Sequence, residues 1–411
     1  MSVSGISPIH IRAVDETSGW RAPKVPPPLS LYVHFPWCAR KCPYCDFNSH
    51  QQAERGQDAA SLQARYLQAL REDVEAALPT VWGRTVRSVF IGGGTPSLMT
   101  GEQVDRLLCD LRALLPLAPD CEITLEANPG TMEAQRFRDF RQAGVNRLSL
   151  GIQSFDDGHL TRLGRIHDGR QAMRAAEQAG RHFERFNLDL MWALPGQTVE
   201  QAMNDLQHAL DFAPPHLSLY QLTIEANTVF AKFPPQLPGE DLAFEIQQRL
   251  QDRAGEAGYQ HYEVSAYAQP GQTCAHNLNY WTFGDYLGVG AGAHSKLTLA
   301  NGVVRQERFS RPESYLENAS RQRFISREHT VPVGELPFEF MLNALRLTEG
   351  VPAALFAERT GLPVGAISST LSAAEARGLL EPDPTRIRAT PLGLRFLNDL
   401  QSIFLPKPKG R

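Results

Sequence analysis

Cys38, Cys42 and Cys45 fall within eight residues of one another in the segment VHFPWCARKCPYCDF (33–47). Thiolates are the ligands that iron–sulfur clusters require, and a [4Fe–4S] cluster usually takes four. A Cys-x3-Cys-x2-Cys trio holds three irons and leaves the fourth open, and an open position marks a reactive metal site. The alternative is a structural zinc ion with His34 or His50 as fourth ligand. Zinc spacings come as two separated pairs, and Cys109, Cys121 and Cys274 are too scattered to supply a second one. A second group of residues lies at or near the ends of the later strand runs. The run Gly92-Gly93-Gly94-Thr95-Pro96-Ser97 lacks the spacing of a dinucleotide fingerprint and the lysine of a Walker loop, but its glycines allow backbone to approach a ligand closely. Glu126 in ITLEANPG, Gln153 in LSLGIQSF and Asp189 in FNLDLMWALPGQT can accept hydrogen bonds near strand ends, and Arg165 in HLTRLGRIH carries a guanidinium fork that suits an anion. Each alone is equally well a satisfied polar group at a strand end.

These residues sit on elements that alternate. Short apolar runs at 29–33, 85–91, 121–127, 147–153, 185–192 and 216–224 are separated by helix-period stretches, such as Val104, Leu107, Leu108, Leu111 and Leu115 on one face. Strands alternating with helices imply an α/β fold with a parallel sheet, either open and doubly wound or a partial barrel. In both, the ligand site lies at the carboxyl ends of the strands, where the cysteine loop falls after the first run. Residues 226–330 are less regular, with a proline-rich break at 233–240 and a helix near 241–257. The tail, 331–411, reads as helices, a small β-wing and a closing helix, a winged-helix-like module. The expected organisation is a polar arm over 1–28, a core over 29–225, an extension over 226–330 and this tail.

Composition narrows the function. With 41 Lys+Arg against 45 Asp+Glu, the net charge is −4. Residues 333–411 hold nine basic and eight acidic side chains, a net of +1, which does not suit a DNA-reading module. No nucleic acid partner is expected. No apolar run approaches the roughly 18 residues of a membrane span. Asp15, Glu16 and Arg21 stand where an export signal would be apolar, so a cytoplasmic protein with reduced thiols is expected.

The cysteine loop followed by GGGTPS resembles the radical S-adenosylmethionine (SAM) superfamily. Together with Glu126, Gln153, Arg165 and Asp189, it resembles the anaerobic coproporphyrinogen III oxidase family over about 29–300, and the tail resembles that family's helical C-terminal domain. The resemblance implies a partial (β/α)6 barrel and a [4Fe–4S] cluster on the three cysteines. It also implies SAM on the open iron, contacted by Gly93, Gly94, Thr95 and the polar residues above, with Tyr32 packed nearby. Members of the family that decarboxylate coproporphyrinogen carry a further cysteine where this chain has Phe47. His276-Asn277-Leu278-Asn279-Tyr280-Trp281 instead matches the HNxxYW heme motif of the family's heme-chaperone branch. Histidine is a common axial ligand to heme iron and aromatic rings can stack on a porphyrin. Otherwise Tyr280 and Trp281 are core aromatics and His276 a turn residue bonded to backbone. The resemblance implies a heme chaperone with no catalytic residue assigned. Its partners would be heme, acceptor hemoproteins such as respiratory ones, and an electron donor for the cluster, with membrane contact only through acceptors. The alternatives are the oxidative decarboxylase and, least favoured, an iron–sulfur DNA-binding regulator.

Overall fold

The computed structural model describes residues 20–52, 57–131 and 134–406, so the polar arm lies outside the described residues up to Gly19. Six strands follow the apolar runs: β1 Leu29–Phe35, β2 Val86–Gly93, β3 Leu117–Ala127, β4 Arg147–Gln153, β5 Arg185–Trp192 and β6 His216–Gln221. Each pairs parallel with the next. The crossovers are α1 Gln57–Val81, α2 Gly101–Leu114, α3 Ala134–Ala143, α4 Asp157–Arg162 with α5 Gly169–His182, and α6 Val199–Asp211. Local signals set their starts. Thr100, Asp168 and Thr198 each cap a helix and share a capping box with a Gln three residues on. Val104, Leu107, Leu108 and Leu111 of α2 are buried as a stripe against the sheet.

The sheet does not stop at β6. Beyond α7 Glu240–Glu256, β7 Gln260–Glu263 and β8 Ala266–Ala268 add antiparallel strands to the β6 edge. After α8 Ala275–Trp281, β9 Asp285–Val289 returns parallel to β1 at the opposite edge. There β10 His294–Leu299, β11 Gly302–Arg308 and β12 Ile325–Thr330 continue antiparallel, with α9 Pro312–Ala319 between the last two. The order β12-β11-β10-β9-β1-β2-β3-β4-β5-β6-β8-β7 leaves both ends unpaired, so the barrel is partial. Periodicity reveals none of the six sheet strands between 226 and 330. β12 is exposed throughout and carries Arg327, Glu328 and His329, as a protected edge does, while β10 buries Lys296. That lysine is held by Asp285 at 3.0 Å, which also pairs with Arg84 at 2.8 Å.

The tail forms α10 Leu336–Ala344, α11 Ala353–Thr360 and α12 Ser368–Ala376. Val351–Pro352 pairs antiparallel with Arg386–Ile387, beside a bridge between Leu380 and Ala389, which supplies the wing. The expected closing helix breaks at Phe396, whose φ of −110° and ψ of 46° are not helical, into Pro391–Arg395 and Leu397–Ser402. Phe340, Met341, Phe356 and Leu400 build a second core that also takes Tyr262 and Phe283 from the barrel side. Trp20, near the end of the arm, donates its indole N–H to Thr360 O at 2.7 Å and so ties residues before β1 to this domain. No helix among the described residues is long and apolar enough to cross a membrane.

Candidate functional site

Strand residues alternate between two faces. On β3 to β6 the apolar set, including Ile123, Leu125, Leu148, Leu150, Leu188, Leu190, Leu217 and Leu219, packs into the main core. The intervening set lines a cavity of about 370 Å³: Thr124 and Glu126, Arg147 and Ser149, Asn187 and Asp189, His216 and Ser218. The cysteine loop and α8 complete its walls. Cys38, Cys42, Cys45, Gly93, Gly94, Thr95, Glu126, Gln153, Arg165, Asp189 and His276 all line this one cavity. Tyr32 does not. It lies behind Phe90, on which it stacks at 6.1 Å, and its hydroxyl meets His34 Nδ1 at 2.8 Å. His34 Nε2 in turn meets Asn48 O at 2.8 Å, so Tyr32 braces the cysteine loop from outside the wall.

At the mouth, all three thiols are free. Burial, then the Cys45 and Cys42 thiols beside it, push Cys38 up to about 11. Three thiolates so crowded repel one another unless a cationic metal group neutralises them, and that is how the residues present fit a cluster. Arg165 donates Nη1–H to Cys42 Sγ at 3.7 Å. Its Nη2–H donates to Gly151 O at 2.8 Å and Asn128 Oδ1 at 2.5 Å. The zinc alternative fits less well. Both nitrogens of His34 are already engaged, and His50 Nε2 faces Asn48 Oδ1 at 3.2 Å. Among the described residues, the cysteine trio does not converge to within 4.8 Å as ligands of one shared ion do. A cube of irons, one thiolate to each corner, holds its ligands farther apart.

The glycine run is demanded first by packing. Gly94 N donates to Phe35 O and Thr95 N to Trp37 O, each at 2.7 Å, and a Cβ on Gly94 would stand 2.3 Å from Trp37 O. Gly93, at φ +118°, turns its N–H onto Glu126 Oε2 at 3.0 Å. The run therefore clamps the cysteine loop as well as facing the cavity. Burial, then the Asp189 carboxylate, raise Glu126 to about 8. Asp189, also raised by burial, accepts from Ser149 Oγ at 2.9 Å and Asn187 Nδ2 at 2.8 Å. Gln153 ends β4 with φ +68°, a left-handed conformation that costs energy in a non-glycine residue and aims its side chain at the cavity.

At the opposite end α8 plugs the barrel. Glu122 Oε1 accepts from Ala275 N at 2.9 Å and His276 N at 3.4 Å, capping this helix. His276 Nδ1 lies 2.8 Å from Cys274 Sγ and 3.5 Å from Glu122 Oε1, while Nε2 lies 3.6 Å from the same sulfur. Burial lowers His276 against the opposing pull of Glu122, and raises the Cys274 thiol to about 12. Burial would also raise Glu122, but the His276 hydrogen bond and the Arg147 and Arg185 charges hold it at about 2. His276 is thus no backbone-bonded turn residue. Tyr280 and Trp281, by contrast, do not line the cavity. Both are half-buried: Tyr280 meets Tyr286 edge-on at 4.7 Å, and Trp281 packs against the second core under the Arg346 guanidinium at 4.3 Å. Phe47, 61% exposed, stands at the mouth.

Glu122, Thr124, Arg147, Ser149, Asn187, His216 and Ser218 escape motif-based reasoning. The signal that finds them is the polar residue at every second position of otherwise apolar strands, as in RFNLDL and HLSLYQ.

Strand topology, cysteine loop and cavity together define a radical SAM protein, and the family model described as the radical SAM superfamily matches residues 32–209. The HemN C-terminal domain model matches 332–396. Coproporphyrinogen III oxidase (HemN) of Escherichia coli shares the fold, with a TM-score of 0.78 over 92% of this chain and 90% of that one, at 23% identity. The heme chaperone HemW of Escherichia coli is 48% identical over 92% of this chain and 98% of its own length, and that of Bacillus subtilis is 32% identical over 92% and 99%. The chain belongs to the HemW family.

Proposed function

We propose that this protein binds one heme through His276 and hands it to acceptor hemoproteins. In this proposal Cys38, Cys42 and Cys45 hold a [4Fe–4S] cluster whose open iron takes the amino-acid end of SAM. The relatives named as heme chaperones support the activity, and the observation that carries it to a residue is the imidazole on the cavity wall. A histidine that ligates iron through one nitrogen has its other ring nitrogen oriented by a carboxylate, and Glu122 stands on the Nδ1 side of His276.

A bound cluster supplies electrons and a Lewis-acidic iron. The chain's own residues do the rest. Glu126 accepts from an ammonium, Arg165 pairs with a carboxylate, and Gln153 and Asp189 receive hydroxyls. The clamp between Gly94 and Trp37 keeps the two loops in register. Phe47, where the decarboxylases have a cysteine, supports a chaperone over an oxidative decarboxylase.

Heme titration of the purified protein and of His276→Ala tests the proposal. The variant is expected to bind at least tenfold more weakly with a displaced Soret band. An unchanged affinity and spectrum remove His276, and anaerobic turnover of coproporphyrinogen III to protoporphyrinogen overturns the chaperone in favour of the decarboxylase.

A further inference from the structure

Two guanidiniums meet at the lumen floor. Arg147, 1% exposed, lies 3.8 Å from Glu122 Oε2, and Arg185 lies 2.8 Å from the same oxygen, so two guanidiniums share one carboxylate. Asp189, the other nearby carboxylate, is engaged by Ser149 and Asn187. Beside them, His216 is bonded to Asn187 Oδ1 at 2.7 Å and Tyr262 OH at 2.8 Å.

The polar network around Asn187 is satisfied: it donates to Ser149 Oγ at 2.9 Å and accepts from Ser218 Oγ at 3.1 Å. Among the described residues, four buried atoms at the floor lack such a bond: Glu122 Oε2, Arg185 Nε, Arg147 Nη1 and Thr124 Oγ1. Arg147 and Thr124 both line the cavity, and they are register partners on β4 and β3. A buried donor without a partner costs free energy, and a buried guanidinium costs more.

We infer that Arg147, with Thr124 beside it, binds a carboxylate entering the lumen, and that this carboxylate is a propionate of the tetrapyrrole. Two unpaired groups match the two oxygens of a carboxylate, whereas a phosphate would bring a third oxygen and a second charge with no donor to meet them. The tetrapyrrole part rests on the heme function proposed above; the carboxylate part does not.

Two titrations of the full-length protein test it. With sodium propionate as probe, the thermal midpoint of the wild type and of Arg147→Lys is expected to rise, and that of Arg147→Gln to stay put. With hemin and its dimethyl ester as probes, the wild type is expected to prefer hemin by about tenfold, the loss of one charge-assisted contact. Arg147→Gln should bind both alike, with an unchanged Soret maximum because the iron ligand is untouched. Should Arg147→Gln fail to fold, Thr124→Val replaces it, with the preference for hemin reduced about threefold. Stabilisation by propionate without preference for hemin over the ester overturns the tetrapyrrole and leaves a small organic acid as occupant. Stabilisation by propionate with no binding of either porphyrin removes the heme function and keeps the carboxylate site. Equal behaviour of wild type and variant in both titrations overturns the site itself.

Discussion

The two ends of the cavity are built on opposite principles. At the mouth, two loops adjacent to single strands carry the donors, and the carboxylate there is held protonated: Glu126 is raised to about 8 by burial and by Asp189. At the floor, residues from β3, β4, β5 and α8 meet, and the carboxylate is held ionised: Glu122 sits at about 2 because His276, Arg147 and Arg185 outweigh its burial. One end waits for a cation to bring charge in; the other already holds fixed positive charge.

The sharpest break between the ends comes from the cysteines. Replacing Cys38, Cys42 and Cys45 together by serine is expected to abolish iron incorporation on anaerobic reconstitution, while heme binding at His276 persists. Iron analysis and the Soret band measured on one sample check both halves, and parallel loss of the two would make the ends one unit.

Next in size is Glu122→Ala. It uncaps α8 and leaves Arg147 and Arg185 without their anion, which should cost about 3 kcal/mol. Denaturant unfolding measures it, with the heme spectrum displaced as His276 loses its support.

The pH response then separates the carboxylates. Glu122, depressed from 4.5, contributes stability that is present above 4.5 and lost as pH falls toward 2. Glu126, raised from 4.5, contributes stability that is present below 4.5 and lost as pH rises through about 8. SAM affinity should run the other way at the mouth, rising up to about tenfold per pH unit on approach to 8 as Glu126 deprotonates. Calorimetric titrations of wild type and Glu126→Gln would show a flat profile in the variant.

The smallest effect is expected at Tyr32→Phe. The lost bond to His34 costs about 1 kcal/mol, and SAM affinity stays within about twofold because the ring is behind Phe90. A larger fall in affinity would bring Tyr32 into the binding wall.

The mouth was legible because its donors are neighbours in sequence: three cysteines on one loop and GGGTPS on another announce themselves by spacing. The floor was not, since Glu122, Arg147, Arg185 and Cys274 are spread over more than 150 residues and share no motif. The segment 276–281 brought His276 to notice, while Trp281 of the same segment packs against the second core and Tyr280 against Tyr286. The strands beyond 226 escaped because edge and antiparallel strands here carry polar residues such as Lys296 and Arg327 where apolar runs are sought.

Sequence by itself determined the alternating strands and helices over 29–225 and the cysteine spacing on the first loop, because strand period, helix period and loop spacing are local properties of the chain. Tertiary structure alone decided that the barrel stays open, that α8 closes its floor, and that Arg147 Nη1 and Thr124 Oγ1 come to lie side by side without hydrogen bonds among the described residues. Those outcomes depend on which distant strands pair and in what register, and no local pattern encodes that.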